Sequence, residues 1–444
     1  MLYDPTDAAI PTRQWAVPGI AEHRWRERLS NEIHARGSLA LKAPVRASHL
    51  ALLAGEDGVE RDRLHIVDLC RRFGAPEPPM GANFWHVDCG PFVLNWERHT
   101  EFSSYTFIRH EPFDEPFREP VIRQLPQDWL RGLAGEVLVA MHLALEPAVG
   151  ARLSHEQTHA LFASDNIASS HVSGGAAQVW TDFRLQGDGF CRVLIRDISL
   201  TPRQAGRVLQ RLIEIETYRM MALLALPLAR EYGRQVTHAD QTLADITQRM
   251  ADADRELDQH TLLDRLTAVA AEIERIAAAT NYRFGAARAY YALVQRRIEE
   301  LREVRVDGHP TIKEFMDRRL APAMSTCESL RDRLEVLSKR VSRAANLLRT
   351  RVDLALERQN QDLLRSMDRR AQLQLRLQET VEGLSVVVLS YYVVGLVGYL
   401  FKAAKSGGLP LNPELATGLT LPLVVGGVWW GIHRFRRSLG HDSG

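Results

Sequence analysis

Lysine is nearly missing from this 444-residue chain: Lys42, Lys313, Lys339, Lys402 and Lys405 are the whole complement, and arginine carries the rest of the positive charge. The 56 basic residues are matched by 55 acidic ones, so no global field draws the chain to nucleic acid. Cysteine is scarce too. Cys70, Cys89, Cys191 and Cys327 stand far apart with no Cys-x-x-Cys pair, which argues against a thiolate zinc site or a disulfide framework and fits a reducing compartment. Residues 1–30 lack an apolar h-region, so no signal peptide is expected. No internal repeat with a period of 20 to 50 residues is visible.

The last absence is local. Residues 384–401, LSVVVLSYYVVGLVGYLF, and 415–432, LATGLTLPLVVGGVWWGI, each run for 18 residues without a charge. As helices each covers roughly 27 Å, near the thickness of a hydrocarbon core. Two such runs in tandem, bracketed by charge, predict a membrane hairpin. The HRFRR tail (433–437) and the Arg-rich stretch before 380 outweigh Lys402 and Lys405 between the runs. The positive-inside rule then places both termini in the cytoplasm and residues 402–414 outside.

Up to about residue 200, apolar alternation and turn residues recur, as in APVRASHLALLAG (43–55) and NFWHVDCGPFVLNWERHTEFSSYTFIRH (83–110). A mixed or antiparallel sheet of about five to seven strands is expected. Gly187-Asp188-Gly189 marks a hairpin within 177–200. From Thr201-Pro202 the period becomes helical, with a kink expected at Pro227. A second helical stretch, 239–304, ends at RVDGHP (305–310). Thr311 and Glu314 form a capping box expected to open the longest helix. From Leu320 through Met324, Cys327, Leu330, Leu334, Leu337, Val341, Leu348, Val352 and Ala355 the apolar steps are three and four, with one of seven after Val341, a seam suited to oligomerisation or to packing within the chain.

The fold expected is therefore an α+β cytoplasmic domain (1–200), a long helical coiled-coil-like stalk (201–381) and a C-terminal two-helix transmembrane hairpin with a short cytoplasmic tail (382–444).

Five stretches, NEIHAR (31–36), APVRASHLALL (43–53), NWERHTEFSSYTF (95–107), VWTDFR with DGF-x-R (179–192) and EIETYRMMALLALPLARE (214–231), together resemble one bacterial family of uncharacterised membrane-anchored proteins defined by a domain of unknown function. That family usually has proline after HAR, where this chain has Gly37. The resemblance implies a membrane anchor and no particular activity. The layout also resembles, more distantly, the CorA-type magnesium channels, which are pentamers whose first spans line a pore with a Gly-Met-Asn motif at its outer end. Here that end reads VGYLFKAAKSGG, so magnesium selectivity does not carry over.

Three groups of residues bear on chemistry. In HEQTH (155–159), His155 and His159 with Glu156 spell the zinc-protease motif, but the upstream Pro147 and Gly150 preclude a long supporting helix, and Ser154 with Gln157 reads as a capping box. A capped surface helix is the better account, and both histidines are decoy metal ligands. Two extended stretches place Glu32, His34 and Arg36, and Glu97, His99 and Glu101, on single faces, able as a polar patch to hold a divalent cation or another ligand; an ordinary solvated sheet face is the bland alternative. Tyr391, Gly395, Gly398 and Tyr399 fall on one stripe of the first span, as pore-lining candidates or simply a smooth packing surface.

Two function classes are consistent with these features. One is a homo-oligomeric cation channel or transporter of CorA-like layout. The other is a membrane-tethered scaffold or sensor whose hairpin only anchors it. A zinc hydrolase on HEQTH is a distant third, so no enzyme, catalytic residue or cofactor is expected. The partners expected are the lipid bilayer and further copies of the chain.

Overall fold

In the computed structural model, which describes residues 23–26, 29, 39–53, 58–148, 155–162, 164–252, 256–406 and 412–439, the alternating stretches fold into one mixed sheet within an α+β protein. Its strands are β1 (Val45–Leu53), β2 (Phe84–Asp88), β3 (Val93–Arg98), β4 (Phe102–Arg109), β5 (Glu136–Pro147), β6 (Ala168–Val172), β7 (Ala177–Thr181), β8 (Cys191–Asp197) and β9 (Val304–Arg305). They lie in the order β2-β3-β4-β1-β5-β8-β7-β6-β9. Neighbours are antiparallel except β5 and β8, which are joined by a long crossover containing β6 and β7. β7 and β8 form the hairpin expected around Gly187-Asp188-Gly189. Nine strands exceed the five to seven expected. β6 is ASSHV, too polar to stand out by alternation, and β9 is a two-residue pairing onto β6 that only the folded chain creates.

Successive side chains point to opposite faces, so each strand sorts its residues between two layers. On one face Leu50, Leu52, Leu94, Trp96, Tyr105 and Phe107 meet α1 (Gly58–Phe73) and α2 (Gln127–Arg131) in the main core. Trp129 sits at its centre, stacked on His65 at 4.4 Å and meeting Phe107 edge-on at 6.1 Å. A smaller core forms around α3 (His155–Phe162), where Phe162 packs with Phe117, Trp180 and Leu194. The opposite face is covered by α4 (Pro202–Leu223), which packs on β5 and buries Leu209, Leu212 and Ile215. Thr201 stands at its N-terminus, where its backbone N–H donates to Gln204 Oε1 at 2.9 Å.

The remaining helices are α5 (Ala225–Asp252), α6 (Glu256–Leu301), α7 (Ile312–Arg319), α8 (Ala321–Ser406) and α9 (Pro413–Leu439). The break between α4 and α5 falls at Leu224, beside the Leu223 carbonyl that Pro227 cannot serve with an N–H. The Thr311 capping box forms, with Glu314 N–H donating to Thr311 Oγ1 at 3.0 Å, but it opens the two-turn α7 rather than the longest helix. Pro322 is the reason: it leaves the Arg318 carbonyl unserved, and the helix is interrupted at Leu320 before α8 begins. Glu303 adds a second cap to α7, accepting from the Ile312 and Lys313 N–H groups at 2.8 and 2.9 Å.

The chain divides into two compact units, Met1–Ile246 with Leu266–Ser342, and Thr247–Arg265 with Arg343–Gly444. The change of period near residue 200 is no boundary in space, because α4 lies on the sheet. In the first unit α5, α6 and the start of α8 run side by side. Arg275 donates to Gln235 at 2.7 Å, Arg333 to Thr237 at 3.1 Å and Arg340 pairs with Asp240 at 2.5 Å. Between them Leu330, Leu334, Leu337 and Val341 of the seam are buried. In the second unit Leu348 and Val352 are also buried, and Arg351 donates to the Met250 carbonyl at 2.5 Å. The seam down to Val352 thus packs within the chain. Heptad spacing shows that a face is covered, not by which helix.

A cleft between the sheet and helix α4

The face of the sheet under α4 is polar, and the strand register builds it. Asn95 stands opposite Thr106, and Thr106 opposite His49, so one row crosses β3, β4 and β1; Glu97 and Ser104 form the next row. From above, Gln210, Glu214, Thr217 and Tyr218 of α4 project toward the same space, as their spacing of four, three and one dictates. Together with His99, Phe102 and Ile108 they line a cleft of about 640 Å³, counting its open mouth. Leu39 and Leu41 complete its wall. Gly206 makes that possible: a Cβ there would lie 1.6 Å from the Leu39 carbonyl oxygen.

His49 is the most enclosed polar group. Its Nδ1 lies 2.9 Å from Thr106 Oγ1 and its Nε2 3.4 Å from Thr217 Oγ1. Burial, with a contribution from His99, pushes its pKa down to about 3, so the ring is neutral at physiological pH. Asn95 Nδ2 donates to Glu97 Oε1 at 3.1 Å, and His99 Nε2 lies 3.6 Å from Glu97 Oε2. His99 itself stacks on Phe102 with ring centres 4.2 Å apart. Across the cleft Glu214 accepts from Gln210 Nε2 at 2.9 Å and pairs with Arg297 of α6. Arg297 and Arg211 both reach Glu300, which ties α6 to α4. Among the described lining residues there are two carboxylates and no lysine or arginine, a lining suited to a ligand that donates hydrogen bonds or carries positive charge.

Of the polar residues singled out in the sequence, Glu97 and His99 line the cleft. Glu101 does not. β3 ends at Arg98, and a tight turn closed by the His99 N–H to the Phe102 carbonyl at 2.8 Å breaks the alternation. Glu101 swings to α6 and pairs with Arg283 at 2.9 Å, beside Tyr290, whose phenol burial and Glu101 push upward. Glu32, His34 and Arg36 lie outside the described residues. Among the described residues no group of three or more His, Cys, Asp or Glu is placed to hold a metal ion. In HEQTH, α3 begins at His155, and His159 Nε2 lies 2.7 Å from Asp165 Oδ1. The capping serine proposed there, Ser154, lies outside the described residues.

Sequence reasoning passed over His49, Thr106, Gln210, Glu214 and Thr217. One signal was available: His49 stands where the polar start of β1, VRASH, gives way to the apolar LALL, and the register sets it opposite Thr106. Behind the cleft Glu216, buried, pairs with Arg219 at 2.5 Å, Cys191 Sγ donates toward Glu216 Oε1 at 3.6 Å, and Arg219 lies over the Phe183 ring. Asp182 follows β7 and accepts from the Arg184 N–H and Gln186 Nε2, both at 3.1 Å, while burial raises its carboxyl.

In the second unit the residues singled out on the first apolar run divide. Tyr391 and Tyr399 are exposed with Gly395, whereas Gly398 faces α9, 3.6 Å from Thr417 Oγ1 to its would-be Cβ. Ser390 is buried. Both α8 and α9 contain a stretch long and apolar enough to cross a membrane.

No curated protein and no solved structure matches the chain. A family model does, over residues 21–439, and this chain belongs to that family, described as a protein of unknown function (DUF3422).

Proposed function

We propose that the protein is a membrane-anchored module whose cytoplasm-facing α+β body binds a small polar ligand in the cleft beneath α4. One observation carries the anchorage: the apolar stretches of α8 and α9 are 6% and 0% buried within the chain. At about 25 cal/mol per Å² of apolar surface, two bare runs of this length stay in water only at great cost, and a bilayer removes that cost. Contact of Gly398 with Thr417 supports pairing of the two runs as a hairpin, since small residues let spans approach closely. The basic tail after Ile432 and the arginines before 380 support an orientation with both termini inside. The role of sensor rather than enzyme rests on a cleft whose histidine is held neutral and fixed by two threonine hydroxyls.

A transport role is the second reading. It draws on the exposed stripe of Tyr391, Gly395 and Tyr399, which several copies could turn toward a shared axis.

Fractionation and labelling test the anchorage. The chain is expected to stay with membranes at high salt and alkaline pH and to be released by detergent. A cysteine at Lys405 is expected to react with an impermeant maleimide from outside intact cells. Release without detergent, or labelling only after lysis, overturns the reading.

A further inference from the structure

Between Leu356 and Val381 the chain leaves α8 uncovered, yet the stripe set by steps of four and three continues, apolar except at Asn360, Arg370 and Gln374. Leu356, Leu363, Met367, Leu377, Val381 and Leu384 are 44 to 66% exposed. The charges are sorted to match. Of the ten charged residues between 356 and 385, seven (Arg358, Asp362, Arg365, Asp368, Arg369, Arg376 and Glu379) lie on the opposite side of the helix. The apolar stripe itself carries one charge, Arg370, and its flanks two, Glu357 and Glu382, both on the side of Leu364. A solvated helix has no reason to gather seven of ten charges on one side while leucine, methionine and valine line the other. Such a helix packs.

We propose that this face of α8, residues 356–385, packs in parallel and in register against the same face of a second copy of the chain. The parallel sense rests on the membrane anchorage proposed above. α8 continues without interruption through Ser406, so every copy in one bilayer presents the stripe at the same height and in the same direction. An in-register pair places Asn360 against Asn360 and Gln374 against Gln374. Amides satisfy each other like to like, whereas an unrelated apolar helix would leave them unpaired. Arg370 meets its own copy at the seam, a cost that its long stem reduces by carrying the charge to the rim. The sparsely charged flanks widen the face beyond a two-stranded seam, which leaves room for more than two copies.

Cysteine cross-linking of the full-length chain in membranes tests this, because the four native cysteines are buried. Under mild oxidation Leu363→Cys and Leu377→Cys are each expected to form disulfide-linked dimers at least about tenfold faster than Arg365→Cys and Glu379→Cys on the opposite side. Arg370→Leu is expected to strengthen assembly in detergent. Equal rates at all four positions, or no dimer at any, overturns the seam. Cross-links only in mixed samples, Leu363→Cys to Leu377→Cys, overturn the parallel order, since antiparallel copies would hold like positions roughly 20 Å apart. If the protein fractionates as soluble, the anchorage is what fails, and the same comparison in solution still decides whether the stripe is covered by a second copy.

Discussion

Asp62, Arg98 and Ser103 form a charged cluster on the core side of the sheet, with Arg98 Nη1 2.7 Å from Asp62 Oδ2 and 3.1 Å from Ser103 Oγ. The side chains of Asp62 and Arg98 are 0% and 4% exposed, so removing one partner strands the other charge in apolar surroundings. Asp62→Ala is therefore expected to cost about 3–5 kcal/mol, read as a lower unfolding midpoint. A loss below about 1 kcal/mol would mean that water reaches the site. On the opposite face His49 makes stability depend on pH. Its folded pKa, about 3, lies below the ordinary 6.5, so the unfolded chain takes up a proton that the folded one refuses. The stabilisation is whole above pH 6.5 and is lost as pH falls toward 3, at about 1.4 kcal/mol per pH unit. His142, stacked on Phe190 and held near 4 by burial, acts in the same direction. His49→Gln is expected to flatten the fall in unfolding free energy between pH 6.5 and 4 by one proton's worth; an unchanged slope contradicts the burial. The alternation in WER placed Glu97 and Arg98 on opposite faces of the sheet, and so it folds. The same rule failed at Glu101, because the turn after Arg98 is set by a backbone hydrogen bond, not by side-chain pattern.

At the scale of elements, helix α4 organises the cleft, and Gly206 decides how close the chain before β1 can lie against it. The Leu39 carbonyl occupies the space of a side chain at 206, and the Leu41 N–H donates to the Pro202 carbonyl at 2.9 Å. Gly206→Ala gains helix propensity of about 1 kcal/mol yet must displace that backbone. The displacement is expected to win: the variant should unfold at lower temperature and be cut faster by protease near residue 39. A variant more stable than the parent would show that the segment moves aside freely. The helix ends were readable where local chemistry sets them. Thr201 with Gln204 and Thr311 with Glu314 cap as their spacing requires. The length of the helix opened at Thr311 was not readable, because a proline two residues past Leu320 divides α7 from α8 within an unbroken apolar pattern.

For the whole molecule, ion flux is the measurement that separates an anchor from a pore. Liposomes carrying the reconstituted protein are expected to pass no more cations than empty ones. A flux abolished by Gly395→Trp would replace the sensor reading by transport through the stripe of Tyr391 and Tyr399. By itself the sequence determined the α+β body, the helical remainder and the two apolar runs, because alternation, helical period and uninterrupted hydropathy are properties of neighbours along the chain. Only the tertiary structure decided that the 320–352 seam is covered by the chain's own helices, and that Glu97 and His99 share a cleft with His49 and Glu214. Those outcomes depend on which faces meet, and strand register and helix packing fix that between residues remote in sequence.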